Sequence, residues 1–171
     1  MSEYNWSERP GSAVAHVLVV NDESHVRTLL ARWLTEAGCT CSEARDPEEA
    51  LDRLREQQTD VVTLDIRMPL GSGQNVVHRI AREFPATSIL MVTGTDDAQH
   101  AAAALTTGAS DYLVKPVDRE MFLWRVRKAL AIQRRRRNGL SEAFSHAPRP
   151  ALIARRPERS VSGATNLAEG V

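Results

Sequence analysis

The chain has 171 residues, 42% of them apolar, and equal numbers of acidic and basic side chains (22 each). That is enough for one ordinary domain with extra chain at its ends. No apolar run approaches the roughly 18–20 residues of a membrane span, and the first residues carry no basic-then-apolar signal pattern, so a cytoplasmic protein without membrane contact is expected.

The zero net charge is unevenly spread. Residues 1–133 hold 14 Lys+Arg against 19 Asp+Glu, and residues 134–171 hold 8 against 3. Residues 1–14 are polar and read as a disordered leader. His16-Val-Leu-Val-Val20 is a continuous apolar strand, as expected where both faces are covered. Apolar positions recur at helical spacing over residues 23–37, and Gly38 supplies the stop. Residues 39–44 form a more polar strand, suited to a sheet edge. Asp46-Pro47-Glu48-Glu49 starts the next helix with a capping acid, a first-turn proline and two acids. Cys39 and Cys41 sit one residue apart on a strand, poorly placed to bridge, and no second Cys/His pair completes a zinc site.

A strand over 60–65 ends on Asp65. A loop with Gly71 and Gly73 leads to a helix over about 74–84, closed by Pro85. Ser88 to Val92 is a fourth strand. An alanine-rich helix over 96–107, capped by Asp96 and Asp97, ends at Gly108. Residues 109–114 form a fifth strand, and 118–137 a last helix whose apolar stripe fades into Arg134–Arg137. Trp124 falls off that stripe, as a partner-facing aromatic would. Residues 134–171 read as a basic, disordered tail, with no helix-turn-helix pattern, aromatic interleaving or zinc spacing to make it a nucleic-acid reader. Five βα units specify an α/β fold: a doubly wound, five-stranded parallel sheet with helices on both faces, over residues 15–133.

Ligands of such sheets bind at the carboxyl ends of the strands. Polar stations recur at those ends: Asn21-Asp22-Glu23, Asp65, Thr93-Gly94 and Lys115-Pro116. Asp22 and Asp65 are hard oxygen ligands suited to Mg2+. A carboxylate can also carry a phosphoryl group as an acyl phosphate. A metal ion, a lysine and a hydroxyl would stabilise the oxygens of that group during transfer.

Val-Val-Asn-Asp-Glu23, Asp65-Ile-Arg-Met-Pro69, Val-Thr93-Gly and Tyr112-Leu-Val-Lys115-Pro116 together resemble the motifs of the response-regulator receiver domain of two-component signalling. The resemblance covers about residues 15–132 with the spacing preserved. It implies a flavodoxin-like sheet of order 2-1-3-4-5 and a phosphorelay signalling role rather than an enzyme. Asp65 would accept phosphate from a sensor histidine kinase or histidine phosphotransferase. Mg2+ would be held by Asp22, Asp65 and the backbone carbonyl of Arg67. Lys115 would pair with the phosphoryl group, Thr93 and Tyr112 would form the switch, and Arg67 and Thr95 would modulate phosphoryl lifetime. The resemblance further implies a downstream protein target and places a homodimer contact on the last helix face.

One departure stands out. The family usually carries two acids after the first strand, and the first of them here is Asn21. Asparagine can hold a metal-bound water but removes a negative charge, so weakened Mg2+ binding is expected. The alternatives are a degenerate receiver switched without phosphate and a receiver whose basic tail binds nucleic acid. An aspartyl-phosphate hydrolase is disfavoured, because the position two residues beyond Asp65 would need an acid and is Arg67.

Overall fold

The computed structural model describes residues 14–65, 67–68, 73–94 and 105–145, with backbone alone for 73–74, 93 and 140–145. Five strands, β1 (His16–Val20), β2 (Thr40–Ala44), β3 (Val61–Asp65), β4 (Ser88–Thr93) and β5 (Asp111–Val114), form one parallel sheet in the order β2-β1-β3-β4-β5. The helices are α1 (Ser24–Glu36), α2 (Pro47–Glu56), α3 (Gly73–Glu83) and α4 (Arg119–Ser145), and residues 105–107 are also helical. Asp96, Asp97 and the rest of the expected helix over 96–107 lie outside the described residues, as do 1–13 and 146–171.

The apolar strands are continuous because each feeds two cores. On β1, Val17 and Val19 join Leu30, Leu34, Phe122 and Val126 beneath α1 and α4. Leu18 and Val20 join Leu51, Val77 and Ile80 beneath α2 and α3. This alternation is the two-residue period of a strand buried on both sides. Trp33 packs on Phe122 with ring centroids 6.1 Å apart, tying α1 to α4. The polar second strand does lie at an edge, with Thr40 exposed and only Ala44 buried.

Local signals explain the helix ends. Asp46 accepts a hydrogen bond from the Glu49 amide at 2.9 Å, with Pro47 in the first turn of α2. Gly38 follows α1 with φ +90°, a conformation that favours glycine. The last helix departs from expectation. It runs through Asn138 and Gly139 to Ser145 rather than ending at 137, so residues 134–145 are helical and not a disordered tail. One interior glycine costs only about 1 kcal/mol against alanine, and Gly139 is flanked by residues that tolerate a helix.

Candidate functional site

The pairing register brings the polar stations to one edge. Val20 lies opposite Leu64, so Asn21 follows beside Asp65; Asp65 lies opposite Val92, and Thr93 opposite Val114, so Lys115 comes next. Asp65 is 2% exposed and Asn21 1%. A buried carboxylate needs donors, and among the described residues Asp65 has three. Its Oδ2 accepts from Asn21 Nδ2 at 3.0 Å and from Lys115 Nζ at 2.6 Å, and its Oδ1 accepts from the Arg67 amide at 3.0 Å. Lys115 starts two strands away, roughly 9–10 Å at ordinary strand spacing, a span only a long side chain crosses.

Burial alone would lower the Lys115 pKa. The hydrogen bond and charge of Asp65, with the charge of Glu23, outweigh burial and raise it above the ordinary lysine value, so the ammonium form is kept. Glu23 is the residue that sequence reasoning missed: its Oε1 lies 3.4 Å from Lys115 Nζ. Asn21 Oδ1 accepts from the Glu23 amide at 2.8 Å, a local turn that leads into α1. The hint was present in the third residue of Asn21-Asp22-Glu23, to which the resemblance gave no role.

One carboxylate oxygen from each of Asp22, Glu23 and Asp65 lies within 4.8 Å of the others. Hard oxygen donors with two exposed members suit Mg2+, which takes one or two carboxylates and keeps several waters. The donor set therefore fits a divalent cation, with Asn21 turned toward Asp65 rather than offering a charge.

The other predicted positions divide. The Arg67 guanidinium lies across Gly94, where an added methyl would meet it at 3.5 Å. Tyr112 is half-buried and packs against the core beneath α2 and α3. Thr93 closes β4 and is described by its backbone alone; Thr95 lies outside the described residues. Trp124 is 54% exposed, with Arg125 and Lys128 at 5.2 and 5.8 Å from its ring centre. Both cations also bind the buried Asp111, at 2.8 and 2.9 Å. Cys39 is buried, Cys41 half-buried, and both are free thiols.

Comparison with known proteins agrees with this fold. The family described as "Response regulator receiver domain" matches residues 17–127. The probable transcriptional regulatory protein TcrX of Mycobacterium tuberculosis is 34% identical over 131 residues, covering 77% of this chain and 54% of TcrX. The response regulator protein PilR of Pseudomonas aeruginosa is 36% identical, covering 73% of this chain and 27% of PilR. The chain thus spans about half or less of these curated relatives. Among solved structures, the signal receiver domain of an HD domain-containing protein from Pseudomonas fluorescens superposes with a TM-score of 0.71 at 27% identity, covering 77% of this chain and 98% of that one. A response regulator receiver domain protein from Clostridium thermocellum gives 0.67 at 28% identity, covering 71% and 98%. With its sheet order, its buried strand-end aspartate and a family match over most of the folded region, the chain belongs to the response regulator receiver domain family.

Proposed function

We propose that the protein is a phosphorelay response regulator in which Asp65 accepts a phosphoryl group from the phosphohistidine of a histidine kinase or histidine phosphotransferase. The observation that carries this reading is the buried Asp65 carboxylate, held by Lys115 at 2.6 Å beside the acids Asp22 and Glu23. In the transfer an Asp65 oxygen lone pair forms the O–P bond as the donor's P–N bond breaks. The electron pair leaves with the imidazole, and the product is an acyl phosphate.

The chain's residues divide the work. Asn21 and the Arg67 amide orient the carboxylate through the hydrogen bonds already described. Lys115, held cationic, offsets charge on the phosphoryl oxygens. Asp22, Asp65 and the Arg67 carbonyl would hold Mg2+, and Asn21, engaged with Asp65 and the Glu23 amide, would reach it only through a water. When bound, the ion neutralises charge on the transferring group. Thr93 and Tyr112 serve as the switch, and Arg67 and Thr95 adjust how long the acyl phosphate lasts. The protein turns over no separate substrate: its chemistry is self-phosphorylation and slow self-dephosphorylation.

The readout is a protein-binding surface in the cytoplasm. Exposed Trp124, flanked by Arg125 and Lys128, offers a face for a downstream protein or a second copy of the chain. Among the described residues no helix is long and apolar enough to cross a membrane.

Acetyl phosphate with Mg2+ tests the reading by intact mass. A gain of one phosphoryl group, absent in Asp65→Ala, is expected. No gain under acetyl phosphate or phosphoramidate would instead support a receiver switched without phosphate.

A further inference from the structure

We propose that Glu23 supplies the second acid function that Asn21 does not, and that it couples divalent-cation binding to the position of Lys115. The inference rests on the reading of this site as a Mg2+-binding phosphoacceptor centre.

Three features point to Glu23. The first is charge. Among the described residues, three carboxylates (Asp22, Glu23, Asp65) and the Lys115 ammonium form one group with a balance of two negative charges, the amount one divalent cation neutralises. Asn21 is neutral, so without Glu23 only one negative charge would remain.

The second is geometry. Glu23 contributes an oxygen to the same 4.8 Å group as Asp22 and Asp65. Asn21 Nδ2 is committed to Asp65 Oδ2, and Asn21 Oδ1 to the Glu23 amide. Asn21 therefore uses both ends of its side chain to hold the two flanking residues in place, and the charge comes from its neighbour.

The third is the sharing of Lys115. Its ammonium touches Asp65 Oδ2 at 2.6 Å and Glu23 Oε1 at 3.4 Å. Glu23 Oε2 faces His25 Nε2 at 3.5 Å. The Glu23 oxygen nearest Lys115 is thus open to competition between the ammonium and a cation held by the carboxylates. A cation that engages Glu23 loosens one of the two contacts on Lys115 and leaves the ammonium directed at Asp65.

The chain has only two lysines, Lys115 and Lys128, which makes the test clean. In the full chain carrying isotope-labelled lysine, MgCl2 should move the Lys115 side-chain signal. Lys128, which is bound to Asp111, should stay still. Calorimetry on the same samples gives the affinity. Glu23→Gln should weaken Mg2+ binding about tenfold or more and flatten the Lys115 response. Adding Asn21→Asp in that background should restore the affinity to within about threefold of the native value. Urea midpoints confirm that each variant is folded.

If Glu23→Gln titrates like the native chain while Asp22→Asn loses binding, the metal site stands and the role given to Glu23 is wrong. If Glu23→Gln weakens binding and Asn21→Asp does not restore it, Glu23 is not the substitute for the missing acid. If the native chain shows no Mg2+ response by either readout, the proposal falls together with the metal site itself.

Discussion

Exchanging Asn21 for aspartate alters the most buried polar contact of the site and gives a result that can be worked out in advance. The Asn21 amide donates to Asp65 Oδ2 at 3.0 Å, and the two residues are 1% and 2% exposed. Aspartate removes that donor, and a hydrogen bond to a charged group is worth about 1.5–3 kcal/mol. It also sets two carboxylates about 3 Å apart, a repulsion of roughly 5–6 kcal/mol at an effective dielectric of about 20. Lys115, 2.6 Å from the same oxygen, offsets part of this, and protonation of one carboxyl caps the rest. The expected loss in urea unfolding at pH 7 with chelator present is therefore about 2–4 kcal/mol. Excess MgCl2 should restore stability, by about 2.7 kcal/mol at a hundred times Kd, and by more than it gives the native chain. Equal stability of the two chains in chelator, or an equal response to Mg2+, would refute the hydrogen-bond and charge argument.

Four further outcomes follow from other parts of the fold. Gly108→Ala combines φ +128° with a methyl 2.5 Å from the Ala81 side chain, and should cost about 2 kcal/mol or more in urea unfolding; an unchanged midpoint would contradict the packing described. Burial raises the Asp111 pKa, but hydrogen bonds from Lys128 and Arg125 outweigh it and leave it lowered. Its share of stability is thus present above the ordinary carboxylate value and lost as pH falls through the lower folded value, and Asp111→Asn should flatten the acid limb of a pH–stability curve. Burial lowers the His16 pKa against the opposing charge of Asp60, so stability should decline as pH drops below 6.5; a His16→Gln variant that keeps the same slope would assign it elsewhere. Burial pushes the Cys39 thiol up to about 12, so thiol reagent at pH 8 should label it only on unfolding, and rapid labelling of native protein would show the packing around it to be wrong.

The sheet was legible because His16–Val20, Val61–Asp65 and Ser88–Thr93 are too uniformly apolar to face water on either side. The stations at their ends were legible because parallel register carries residues that follow equivalent strands to the same edge. Glu23 was not, since its nearness to Lys115 depends on the turn that Asn21 makes with the Glu23 amide and on a lysine arriving from three strands away. Nor was the Arg67 guanidinium over Gly94, a contact between loop residues far apart in the chain. The long α4 defeated a composition argument: an arginine run and a glycine look like the end of order, yet neither stops a helix already anchored by Phe122, Val126 and Leu130.

The phosphoacceptor role proposed for Asp65 is open to direct test. Its most direct measurement is borohydride reduction of protein treated with acetyl phosphate and Mg2+, followed by peptide mass mapping. An acyl phosphate on Asp65 is reduced to homoserine at that residue alone, and the product should vanish when Mg2+ is chelated and fall sharply in Lys115→Ala. Homoserine at Asp22 or elsewhere with Asp65 intact, or none at any residue under conditions that phosphorylate a control receiver, would contradict it.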